Sequence, residues 1–143
     1  MNDEQLELLK SATINIPEFS LKNKKILCNV VDVYDGDTVK VVFFTNNILH
    51  RWTVRLKGIN TPEMRPSLKL EGREMVIENA KKSRDFLKSL FKQSNNLVYI
   101  LCDIFGKYGR LIGTFFINEH ESTFEESINN NMIISGYAQQ YKK

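Results

Sequence analysis

"TVKVVFFTNNILHRWTVRLKGI", residues 38–59, carries the pattern on which the fold turns. β-Branched and aromatic residues crowd its first half, "TNN" supplies turn residues at 45–47, and beyond them Trp52, Val54 and Leu56 alternate with Arg51, Thr53, Arg55 and Lys57. That period of two belongs to a strand with one buried face, so Arg55 is expected on the side away from Val54. Upstream, "ILCNVVDV" (26–33) reads as a strand leading into the same meander. Downstream, "LVYILC" (97–102) and "LIGTFFI" (111–117) read as two more, on either side of the loop "DIFGKYGR".

Between the two groups of strands the period changes. "NTPEMRPSLK" from Asn60 carries two prolines and reads as a loop. In the following "LEGREMVIENAKKSRDFLKSLF" (70–91), Val76, Ala80, Ser83, Leu87 and Leu90 recur at helical spacing, with Glu78, Lys81 and Asp85 opposite. Ser122 with Glu125, and Thr123 with Glu126, each offer a capping box for a short helix running through Ser135, with Gly136 suited to the position after it. Five strands and packed helices in this order predict an α+β, mainly β protein: a five-stranded OB-fold barrel, an architecture whose face and loops commonly bind nucleic acid. Residues 1–24, with a short helix at Glu4–Lys10 and a loop at Pro17, read as an appendage to a domain spanning 25–143.

The 143 residues, 42% of them hydrophobic, suit a single domain with its own core, and a net charge of +3 permits a polyanionic partner without requiring one. Cys28 and Cys102 lack metal-ligand spacing and read as buried thiols. The acidic start "MNDEQLELLK" has no secretory pattern, and no apolar run reaches the length of a membrane span, so an intracellular protein is expected.

Three polar islands interrupt the apolar framework: "YDGDTV" (34–39), "VRLKGINTPE" (54–63) and "GKYGR" (106–110). Each alone reads as a turn with solvated charges. Together they supply carboxylates for a hard cation, two arginines for a phosphate and a further carboxylate, Glu63, which is what phosphodiester hydrolysis requires. Guanidinium forks meet phosphate oxygens in pairs and oppose the charge that builds in the transition state.

The blocks "DGDTV", "VRLKGINTPE" and "KYGR", in this order, together with the ending "SINNNMIISGYA", resemble the staphylococcal nuclease (thermonuclease) family from about Lys25 to Tyr141. The resemblance implies a five-stranded OB barrel and a calcium-dependent nuclease, endonuclease or otherwise, that cuts DNA and RNA, and it implies no obligate protein partner; no membrane association is expected. It implies Asp37 as the carboxylate metal ligand, Thr38 as a backbone-carbonyl ligand and Asn60 as the second side-chain ligand. It further implies Arg55 and Arg110 on the scissile phosphate, Glu63 as the base beside the attacking water, and Lys107 and Tyr108 on a terminal phosphate. Asp35 is expected to shape the turn behind the metal. Asn60 stands where the family usually has Asp, which removes one negative charge and opens the site to magnesium or manganese as well as calcium. A non-catalytic OB-fold module that binds nucleic acid is the competing reading.

Overall fold

Strands β1 (Lys25–Val33), β2 (Thr38–Thr45) and β3 (Ile48–Leu56) form the meander; the alternation expected in β3 appears at its end, where Val54 and Leu56 are buried on either side of half-buried Arg55, and β2 alternates as well. The computed structural model describes residues 1–141, so the last two residues of the expected domain, 142–143, lie outside the described residues. Asn46 and Asn47, with φ of 51° and 65°, form the two-residue turn between β2 and β3, the left-handed geometry that matches strand twist in a hairpin. A two-residue strand β4 (Ile59–Asn60) follows, then β5 (Leu97–Phe105) and β6 (Leu111–Phe116).

The strands β1-β2-β3-β6-β5 close into a barrel, with antiparallel pairs throughout except for β3 and β6, which run parallel. This is the five-stranded, mainly β architecture expected of an OB fold. Val39, Val41, Val54, Ile100, Leu111 and Phe115 fill its interior. Helix α2 (Arg73–Lys92) lies over it through Ala80, Ser83, Leu87, Leu90 and Phe91, close to the stripe read from the sequence. Phe91 meets Phe115 edge-on at 5.3 Å between ring centroids.

Three details differ from the sequence reading. Strand β5 runs on to Phe105, past the expected end at Cys102, because an irregularity between Cys102 and Phe105 lets it keep pairing with β6. The expected helix from the capping box is split. Thr123 and Glu126 do cap each other, but around a 3-10 turn at Phe124–Glu126; Ser127 is extended and starts α3 (Ile128–Ile134) by accepting from the Asn130 N–H. Finally, Gln139–Gln140 forms a short strand, β7, antiparallel to β4, which no periodicity announced. Helix α1 (Asp3–Lys10) buries none of its residues.

Candidate active site

The turn from β1 into β2 is built by its own carboxylate. Asp35 Oδ1 accepts the backbone N–H groups of Asp37, at 3.0 Å, and Thr38, at 2.8 Å. This local closure aims Asp37 inward, where it is buried. Gly36 lies so close to its surroundings that a Cβ there would stand 2.8 Å from Thr61 Cγ2 and 2.9 Å from Ser83 Cβ. The turn is thus pressed onto the loop after β4 and onto α2. Burial, then the neighbouring charge of Asp37, pushes the Asp35 carboxyl up to about 6, against the pull of its two backbone donors.

Asp37 is held from three directions. Its Oδ2 accepts the Thr61 N–H at 3.0 Å and pairs with Arg55 Nη1 at 3.1 Å, while the Thr38 hydroxyl donates to Oδ1 at 3.2 Å. The same guanidinium donates through Nη2 to Asn60 Oδ1 at 3.3 Å and lies over the Tyr141 ring at 5.9 Å. Asp37, Asn60 and Arg55 are therefore brought into one cluster. The carbonyl of Thr38 accepts the N–H groups of Tyr34 and Asp35 within the turn.

The second arginine arrives by way of the barrel's parallel seam. Arg55 is in register with Ile112, and Val54, buried, with Leu111, also buried. Alternation then puts Arg55, Ile112 and Arg110 on one outer face. They line a cleft of about 590 Å³ together with Lys107 and Tyr141. Lys57 and Asp103 bridge its edge at 2.5 Å, and the lysine's hydrogen bond holds the Asp103 carboxyl below its usual range. A second cleft of about 650 Å³, lined by Asn60 and Thr61, opens between α2 and residues 136–139.

Glu63 and Tyr108 are not drawn into this cluster. Glu63 is exposed and, among the described residues, has no hydrogen-bond or ion-pair partner. Tyr108 stands 93% exposed at a left-handed φ of 64° in the 3-10 turn Lys107–Gly109. Only Lys107 of that turn lines the cleft.

Three residues that the sequence reading did not single out shape the site. Thr61 provides the N–H on Asp37, and its own hydroxyl is buried without a partner among the described residues. Asn129, fully buried, accepts the Phe115 N–H and donates to the carbonyls of Lys57 and Gly113, clamping α3 onto the ends of β3 and β6. A polar residue inside the narrow apolar stripe of "SINNNM" was the available signal for it. Tyr141, whose N–H is tied to the Gly58 carbonyl, had none.

A family model described as staphylococcal nuclease homologue matches residues 53–143. The chain belongs to that family. The matched span takes in Arg55, Asn60, Glu63 and Arg110 but begins inside β3, so it leaves the Asp35–Asp37 turn to be judged by geometry. None of the curated proteins matches the chain. No helix among the described residues is long and apolar enough to cross a membrane.

A divalent cation is what the family implies, and the donors can be tested against it. No three His, Cys, Asp or Glu side chains group as a metal site among the described residues, so such a site must draw on neutral oxygens as well. Asp37 Oδ2 and Asn60 Oδ1 already converge on one positively charged group, with the unpartnered Thr61 hydroxyl next in sequence to Asn60. One carboxylate and one amide oxygen with hydroxyl or carbonyl oxygens at hand fit a hard dication.

Proposed function

We propose that the chain is a divalent-metal-dependent nuclease that hydrolyses phosphodiester bonds of DNA or RNA, with calcium as the first candidate and magnesium or manganese as alternatives. The observation that carries this reading is the cluster itself. Asp37 Oδ2 and Asn60 Oδ1 converge on the Arg55 guanidinium, beside an outer face that also bears Arg110.

In this reading the substrate strand lies along the cleft with its scissile phosphate against Arg55 and Arg110. Their planar forks take the phosphoryl oxygens in pairs, and their hydrogen bonds strengthen as charge builds there. Asp37 and Asn60 hold the cation and Asp35 braces the turn behind them, while Thr38, whose carbonyl already accepts the N–H groups of Tyr34 and Asp35, supports Asp37 through its hydroxyl. When bound, the cation supplies Lewis-acid charge and a template for water. Glu63, with no protein partner among the described residues, is free to take the proton of the attacking water. Lys107 adds a point charge at the cleft wall for a neighbouring phosphate, and exposed Tyr108 is available to the same strand.

The test is incubation of the purified chain with single- and double-stranded DNA and RNA in calcium, magnesium, manganese or chelator. Cleavage that requires a dication is expected. Nucleic-acid binding without cleavage in every metal would reduce the chain to a binding module of the OB type.

A further inference from the structure

We propose that Arg55 is a latch that competes with the metal: in the metal-free protein its guanidinium fills the position of a cation between Asp37 and Asn60, and a dication taken by those two oxygens releases it to the phosphate cleft. The inference rests on the dication site proposed above and concerns how that site and the phosphate-binding face are coupled.

The geometry is specific to the two oxygens. Separate nitrogens of one planar group reach them, Nη1 to Asp37 Oδ2 at 3.1 Å and Nη2 to Asn60 Oδ1 at 3.3 Å. Nη1 also reaches the Leu56 carbonyl at 3.5 Å, and the Tyr141 ring backs the group. The ion pair is largely withdrawn from water, with the Arg55 and Asp37 side chains 19% and 10% exposed, so solvent screens it little.

Charge makes the two occupants exclusive. Arg55 and Asp37 neutralise each other, and Asn60 contributes an oxygen without charge, so the guanidinium already meets the charge of the ligand pair, with Asp35 in the turn behind it. A dication on the same oxygens would sit against the guanidinium on the withdrawn Asp37 side of the site, and their repulsion drives the arginine out toward the exposed Asn60 side. Its exit is prepared, because Arg55 already lines the cleft that holds Arg110 and Lys107. Only the terminal torsions of a long side chain need to change. Metal binding and phosphate recognition are then one linked equilibrium: the arginine that should meet substrate is withheld until the dication arrives, and by reciprocity an anion that draws the arginine out favours the metal.

Asn60 matters to this exchange. A neutral amide holds the guanidinium less firmly than a carboxylate does, which keeps the latch openable with one formal charge at the site.

Calorimetric titration of the whole chain with calcium and with magnesium, for the unaltered protein, Arg55→Met, Arg55→Gln and Arg110→Met, tests the proposal. Arg110→Met removes the same charge from the same cleft without touching Asp37 or Asn60. Both Arg55 variants are expected to bind the dication on the order of tenfold more tightly, and Arg110→Met far less so. Equal tightening by all three, or weaker binding by the Arg55 variants, overturns the latch and leaves the metal site standing. Binding in none of the four overturns the metal site and the latch together. A second measurement needs no variant: in the unaltered protein the Arg55 guanidinium nitrogen resonances should shift on saturation with calcium. Resonances that stay in place while calcium binds overturn the latch.

Discussion

Glu63 makes a clean test of the chemistry because it carries so little structure. Exposed and without a partner among the described residues, it can lose its charge at almost no cost to folding. Glu63→Gln is expected to lower the cleavage rate by about 10²- to 10⁴-fold, the range for loss of a general base, while the melting temperature and nucleic-acid affinity stay unchanged. A near-normal rate, measured with an oligonucleotide substrate under saturating metal, would remove the base role. Asn60 tests the metal side. Asn60→Asp adds a negative charge to the donor set, and ligand charge is a main control of calcium affinity. Titration calorimetry should show tighter calcium binding in the Asp variant, with a lower metal concentration for half-maximal cleavage. Unchanged or weaker binding that persists when Arg55 is also replaced by Met, so that a firmer hold on the guanidinium cannot mask the gain, would mean that the side chain at position 60 does not ligate.

At the scale of elements, the site depends on three short pieces being pressed together: the β1–β2 turn, the loop after β4 and the flank of α2. Gly36 is where they touch. Gly36→Ala would drive a Cβ against Thr61 and Ser83, neither of which is a flexible side chain with room to retreat. About 1–3 kcal/mol of destabilisation is expected, typical of overpacking, accompanied by weaker dication binding as Asp37 shifts. Denaturant melts and metal titration of the same variant check both, and unaltered values in each would show that the turn has slack. Helix α2 itself was readable in advance, since Ala80, Ser83, Leu87 and Leu90 form a continuous buried stripe. The split before α3 was not, because Ser127 competes with the helix by offering its own hydroxyl to a backbone N–H, and two overlapping capping boxes do not say which one wins.

Across the whole molecule, the Lys57–Asp103 pair links the β3–β4 turn to β5 and thereby clips one side of the barrel. The lysine holds the Asp103 carboxyl below its usual value of 3.8, so the folded protein binds fewer protons there than the unfolded chain does. The stability from this pair is therefore present above the ordinary carboxylate pKa and is lost as pH falls through the depressed one. Thermal melts across acid pH should fall more steeply for the unaltered protein than for Asp103→Asn below about pH 4, and the two curves should converge at the acid end. Parallel curves would show that the pair contributes nothing. The cysteines belong to the opposite regime. Burial pushes the Cys28 thiol up to about 12 and Cys102 up to about 11, which keeps both protonated and inert inside the barrel.

The barrel was legible because strand periodicity is a property of neighbours along the chain: Trp52, Val54 and Leu56 alternate with charged residues whatever else the chain does. The residue types of the proposed phosphate-cleaving site were legible for the same reason, since "DGDTV", "VRLKGINTPE" and "KYGR" are local blocks. What each side chain touches was decided only by closure of the barrel. The parallel pairing of β3 with β6 puts Arg55 and Arg110 on one face, although 54 positions separate them in the sequence. The Thr61 N–H on Asp37, the Asn129 clamp and the Tyr141 ring behind Arg55 likewise join distant segments. A buried polar group takes whichever partner the surrounding fold delivers, and a one-dimensional pattern carries no record of that choice. Arg55 marks the boundary most sharply. Strand alternation put it on the outer face, and only the folded chain turned its guanidinium onto Asp37 and Asn60.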